Sequence, residues 1–130
     1  MRLVVDTSVV ISVITNEEHK PRLIEITKGE ELVAPSSIHW EVGNAFSAMF
    51  RRKRIDLKQA RKALEQYRLI PIRLVEVDLE SSLLIAQQYG LYAYDAYFLE
   101  CAVQFKLPLL TLDMVLFDAA RKMGVETEEI

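Results

Sequence analysis

Leu3-Val4-Val5 is followed at once by Asp6, and then by a segment whose apolar residues Val9, Val10, Val13 and Ile14 recur at helical spacing. An apolar triplet without helical spacing reads as a strand buried on both faces, the situation in a parallel sheet covered by helices above and below. Asp6 then marks the carboxyl end of an internal strand, where a charge is least expected.

The same alternation runs down the chain. Pro21 opens a short helix through Ile26, closed by Gly29, and Leu32-Val33-Ala34 reads as the next strand. Pro35-Ser36-Ser37 supplies a turn and a helix cap, and Ile38, Val42, Ala45, Phe46, Met49 and Phe50 form the apolar stripe of a longer helix. Arg51-Arg52-Lys53-Arg54 lies at the end of that helix where cations suit the dipole. Asp56 caps a helix with Leu57, Ala60, Leu64 and Tyr67 on one face; residues 71–77 form a third apolar stretch; residues 79–89 return to helical spacing and stop at Gly90. Asp95 begins a helix apolar nearly all round, so it is expected to be central and buried. Residues 108–112 read as a strand, Asp113 starts the last helix, and Gly124 ends it before an acidic tail.

These elements predict an α/β fold. Residues 1–130 are expected to form one domain, a three-layer sandwich whose mostly parallel sheet of four to five short strands is flanked by about seven helices. With 51% hydrophobic residues, a chain of this length buries roughly two thirds of its unfolded surface and needs no staple. Cys101 is the only cysteine, which excludes disulfides within the chain and cysteine-rich zinc sites and points to a cytoplasmic protein. The apolar run after Met1 is broken by Asp6 and ends at Asn16-Glu17-Glu18, so neither a secretory signal nor a membrane span is expected. A net charge of −3 argues against a passive nucleic-acid coat and leaves room for an enzyme that meets nucleic acid briefly.

In a sheet of this kind the carboxyl ends of the strands and the starts of the following helices share one edge, where ligands bind. Asp6, Glu41, Asp95 and Asp113 all fall there. Each has a plain structural explanation, because acids in a first helical turn gain roughly 0.3–1 kcal/mol from the dipole and Asp is a favoured cap. Capping is the better reading for Asp113, an even one for Asp95 and Glu41, and the poorer one for Asp6. Taken together they call for more, since two carboxylates about 4 Å apart repel by about 4 kcal/mol at an effective dielectric of 20. Either some member keeps a proton at raised pKa, or a cation joins the group. His19 lies in a polar segment and His39 has no second histidine or cysteine nearby, so oxygen donors dominate and Mg²⁺ or Mn²⁺, one ion or two, is the expected occupant.

Asn44 and Ala48 follow Glu41 on its helix face, leaving room for a ligand that Asn44 could orient. Thr7, Ser8 and Thr111 bring hydroxyls beside the acids, with backbone capping the simpler role for Ser8. Trp40, Tyr92 and Tyr94 are expected to pack in the core or at its rim rather than stack on bases. A haloacid dehalogenase-type phosphatase wants an Asp at position 8, which is Ser; a receiver domain wants paired acids near the first strand and a late-strand lysine, and this chain has neither.

The stretches VVDTSVV, APSSIHWEVGNAF and YDAYFLECAVQFKLPLLTLD, with the acids in the order Asp6, Glu41, Asp95 and Asp113, resemble the PIN domain and most closely its VapC-type toxins. The resemblance spans the whole chain. It implies a metal-dependent endoribonuclease that hydrolyses RNA phosphodiester bonds as the toxin of a toxin–antitoxin pair, homodimeric and held by a cognate antitoxin. Asp6, Glu41, Asp95 and Asp113 would then be the catalytic and metal-binding acids, with Thr7, Asn44 and Thr111 as polar support. Arg51, Arg52, Lys53 and Arg54 are the candidate RNA contacts on an otherwise acidic protein. The competing readings are a PIN-like RNA-processing nuclease that is no toxin, and a catalytically silent module that grips a partner through Val9, Val10, Val13, Ile14, Leu23 and Ile24.

Overall fold

The computed structural model describes residues 2–128 and 130. Among them the elements follow in the order β1 (Arg2–Val5), α1 (Thr7–Ile14), α2 (Lys20–Thr27), β2 (Glu31–Pro35), α3 (Ile38–Arg51), α4 (Leu57–Leu69), β3 (Ile72–Val75), α5 (Leu79–Tyr89), α6 (Ala93–Phe105), β4 (Leu109–Leu110) and α7 (Met114–Met123). The four strands pair in the order β3-β2-β1-β4, every pair parallel. Helix α1 gathers α2, α3 and α4, while α6 lies on β1, β2 and β4 and gathers α5 and α7, which completes the three layers.

Burial explains why the strands carry no alternation. Leu3, Val4 and Val5 of β1, Val33 and Ala34 of β2 and both leucines of β4 are fully enclosed, each contributing about 1.5–3 kcal/mol where the side chain is large. Phe98, Leu99, Cys101 and Ala102 make α6 the buried helix the sequence predicts, although Val103 opens to solvent. That helix begins at Ala93 behind Tyr92, and not at Asp95. Tyr92 makes no side-chain cap bond, so nothing in its chemistry announced the start.

Other termini follow their cues. Asp56 and Gln59 form a reciprocal capping box on α4, and Gly90 and Gly124 take left-handed backbone at the ends of α5 and α7. Ser37 occupies the cap position of α3 but its hydroxyl makes no cap bond. Past α7 the tail is more than a polar end: Leu109 donates to the Glu126 carbonyl and accepts from Glu128 N, laying Thr127 beside β4 as a parallel bridge. Glu129 of that tail lies outside the described residues.

Two helix ends carry a lysine where glycine is usual, Lys106 after α6 and Lys53 after α3. At the end of α3, Lys53 has φ of 57° and closes a paired-bond cap, Lys53 N to the Phe50 carbonyl and Arg54 N to that of Met49. Glycine is the ordinary residue there, since a Cβ in left-handed backbone is unfavourable by about 1–2 kcal/mol. Lys53→Gly is therefore expected to stabilise the fold by about 1 kcal/mol, read as a higher urea midpoint at unchanged m-value.

Candidate active site

Strands β1, β2 and β3 run outward in one direction from β1, and β4 lies on its other side, so the strand order reverses between β1 and β4. A crevice opens at the carboxyl ends of strands at such a switch point. Asp6 follows β1 and Asp113 follows β4, and the two flank it.

Two hydroxyls tie these strand ends together. Ser8 Oγ donates to Asp6 Oδ1 at 2.6 Å and accepts from Leu112 N at 3.0 Å. Thr111 Oγ1 donates to Asp6 Oδ2 and accepts from Asp113 N at 3.0 Å. Each hydroxyl spends its proton on Asp6 and its lone pair on the β4 side. Ser8 satisfies a backbone N–H, the simpler role expected of it, but that N–H belongs to distant Leu112, and its bond to Asp6 makes it mirror Thr111; the signal was its place two residues after Asp6, matching that of Thr111 two residues before Asp113. Asp6 is 4% exposed and also accepts from Val9 N at 3.2 Å, which makes it the N-cap of α1 after all. Capping and membership of the acidic group coexist in one side chain, because its oxygens hold enough lone pairs for both.

The other acids divide as follows. Asp113 caps α7 through Val115 N and Leu116 N, as its sequence position suggests. Asp95 sits in the first turn of α6 and Glu41 in that of α3, and neither carboxylate caps its helix. Capping thus fails to account for the two residues on which the sequence was evenly balanced.

Electrostatics link all four. Burial raises Asp6 to about 6, against the pull of Ser8, Thr111 and Val9, and the Asp113 charge adds to it. Burial, then the charges of Asp95 and Asp6, push Glu41 up to about 8. The Thr7 hydroxyl offsets this slightly, although neither Thr7 Oγ1 nor Glu41 Oε2 closes a hydrogen bond of good geometry among the described residues. Asp95 is raised by burial and by Asp113. Asp6, Glu41 and Asp95 are thus raised by burial and by the charge of at least one other acid of the group.

Among the described residues no three His, Cys, Asp or Glu side chains converge into a ready-made metal-binding group. The donor set nonetheless fits a hard dication. It is all oxygen, it is mutually repelling, and it includes two buried oxygens, on Thr7 and Glu41, that lack hydrogen-bond partners.

Beside Glu41 lies a cleft of about 630 Å³ lined by Thr7, Trp40, Gly43, Asn44, Ser47 and Tyr94. Asn44 is exposed there, facing open space. Of the core or rim positions expected for the aromatics, none is in the core: Trp40 is 71% exposed, Tyr92 85% and Tyr94 52%, with Trp40 edge-on to His39 and Tyr94 edge-on to Tyr97. Residues 51–54 do not join the site, since ten residues of helix, about 15 Å, separate Arg51 from Glu41.

Fold and site together define a parallel α/β domain with an acidic ligand edge at its switch point. The chain belongs to the PIN domain family, whose profile matches residues 3–122. Among solved structures it is similar to PAE2754 from Pyrobaculum aerophilum, at 25% identity and a TM-score of 0.73 over 98% of this chain and 92% of that one. It is also similar in fold to VapBC2 from Rickettsia felis bound to a promoter DNA fragment, at 15% identity and TM-score 0.68 over 98% of each chain. A toxin–antitoxin complex from Klebsiella pneumoniae matches at 20% identity and TM-score 0.63 over 98% of this chain and 99% of that one. No curated protein matches the chain. Among the described residues no helix is long and apolar enough to cross a membrane.

Proposed function

We propose that this protein is an Mg²⁺- or Mn²⁺-dependent endoribonuclease and the toxin of a toxin–antitoxin pair. The observation that carries the reading is the hydroxyl-linked pair Asp6 and Asp113 at the switch point, with Glu41 and Asp95 close enough for charge to raise Asp6, Glu41 and Asp95. Asp6, Glu41, Asp95 and Asp113 would hold one or two ions; when bound, the metal supplies an activated water and charge neutralisation for in-line attack on a phosphodiester. The chain's own part is positioning. Ser8 and Thr111 lock Asp6 from both sides, so its oxygens keep one orientation. Thr7 and Asn44 offer polar atoms in the cleft beside Glu41, and exposed Trp40 and Tyr94 give unpaired bases a surface to stack on, a mode suited to single-stranded RNA.

The toxin role draws support from similar folds solved as toxin–antitoxin complexes. An apolar groove of about 360 Å³ between α1, α2 and the end of α4, lined by Val9, Val13, Leu23, Ile24 and Ile70, suits an antitoxin segment. Leu79, Leu83 and Leu84 on α5 are more than half exposed and are the surface we assign to a homodimer.

The deciding experiment incubates purified protein with total RNA in Mn²⁺, Mg²⁺ or EDTA and sequences the new ends. Defined cleavage with either ion and none in EDTA is expected. Full activity in EDTA would refute metal dependence, and silence in every condition would favour the partner-binding module.

A further inference from the structure

The charge of this protein is sharply divided. Residues 51–68 carry eight basic and two acidic side chains, whereas the other 112 residues carry eight basic and seventeen acidic. The basic segment is the end of α3, the turn after it and α4, a single elbow in the fold. Residues 51–54, Lys58, Arg61 and Lys62 are all exposed, and among the described residues none of them makes an ion pair. The elbow borders a cleft of about 580 Å³ into which Arg54, Lys62 and, from α2, Lys20 all face.

Local stability does not explain this arrangement. Arg51 suits the carboxyl end of α3, but Lys58 stands in the first turn of α4, where the dipole repels cations. Lys58 and Lys62 stand one helical turn apart as like charges. Lys53 occupies a left-handed position that glycine fills without strain. Unpaired cations held against local preference point to a polyanion.

The elbow also has a route to the acids. The face of α3 that carries Glu41 continues through Asn44 and Ala48 to Arg51 and Arg52, and Gly43 beside it has open space around it. The interval of about 15 Å from Glu41 to Arg51 matches about 4 stacked nucleotides of one strand. We infer that the α3–α4 elbow anchors the phosphate backbone of a single-stranded RNA whose adjoining segment lies along α3 in the acidic cleft. This anchor rests on the ribonuclease reading and adds to it a reason for preferring longer RNA.

The test compares the protein with a Lys58→Glu, Arg61→Glu, Lys62→Glu triple variant and with the matching Gln variant. Position 58 lies in the first turn, where an acid suits the dipole, and all three side chains are exposed, so both variants are expected to fold, with the Gln variant as the milder change. RNAs of about 3 and about 16 nucleotides span less and more than the interval. Binding is measured in EDTA by fluorescence anisotropy against salt, and cleavage of both lengths in Mn²⁺. The wild type should favour the longer RNA about tenfold, and the triple variant should lose that preference, its log–log salt slope becoming shallower by about 2. Lys53→Gly should weaken long-RNA binding while raising the melting temperature. A length preference and salt slope identical in wild type and variant would overturn the anchor, as would variants that lose binding of polyglutamate and keep that of RNA. Binding that meets every expectation, with no cleavage of either length by the wild type, supports the anchor and sinks the nuclease reading instead.

Discussion

Asp95→Asn is expected to abolish metal-dependent RNA cleavage and leave the protein at least as stable as the wild type. Asp95 accepts no hydrogen bond among the described residues and caps nothing, so removing its charge orphans no donor. Its negative charge is one cause of the raised Glu41 carboxyl, and asparagine relieves that repulsion in a side chain of nearly equal volume. If cation binding contributes several kcal/mol to the transition state, loss of one anionic ligand should lower cleavage by about 10³-fold or more. A purely structural acid would give the opposite pair of results, unchanged turnover with a lower urea midpoint. Measuring both on one preparation separates the two roles. Asp113→Asn is the harder variant to read, because Asp113 also holds Val115 N and Leu116 N at the start of α7.

The second large effect is on stability against pH. Asp6 rises from 3.8 to about 6 and Glu41 from 4.5 to about 8, both chiefly through burial. The folded chain therefore binds more protons than the unfolded chain across this interval, and unfolding free energy falls as pH increases. The contribution of these groups is complete below about pH 4 and is lost as pH climbs through 6 and then 8. In EDTA the melting temperature should consequently drop between pH 5 and pH 8, contrary to ordinary paired carboxylates, which stabilise a protein at neutral pH. Saturating Mn²⁺ should flatten or reverse that slope and release protons on binding, measurable by calorimetry in buffers of different ionisation enthalpy. A metal-free melting temperature that rises steadily from pH 5 to pH 8 would contradict the coupled-acid description of the site.

Much of this was written in the local sequence, and for local reasons. Strands β1, β2 and β4 announced themselves because residues enclosed on both faces cannot alternate. The reciprocal cap of Asp56 and Gln59 and the glycine stops at 90 and 124 depend on neighbours within four residues, which a pattern can register. Placement of four acids at the carboxyl edge followed from their positions after strands or at helix starts, whatever the order of the strands.

Contacts across the chain were a different matter. The bond from Thr111 to Asp6 joins residues 105 positions apart, and Ser8 meets Leu112 across 104. No local preference encodes either, so Ser8 read as a simple cap. Strand order made Asp6 and Asp113 neighbours, and burial by the assembled layers raised Asp6, Glu41 and Asp95 beside the Asp113 charge. Conversely, one continuous helix kept residues 51–54 at a distance from Glu41 that their charge alone gave no means of judging. Sequence determined which elements form and which edge carries the acids, because hydrogen bonding and capping act over a few residues. Tertiary structure decided which oxygens face one another and how far they are desolvated, because both depend on packing between segments that sequence spacing leaves unspecified.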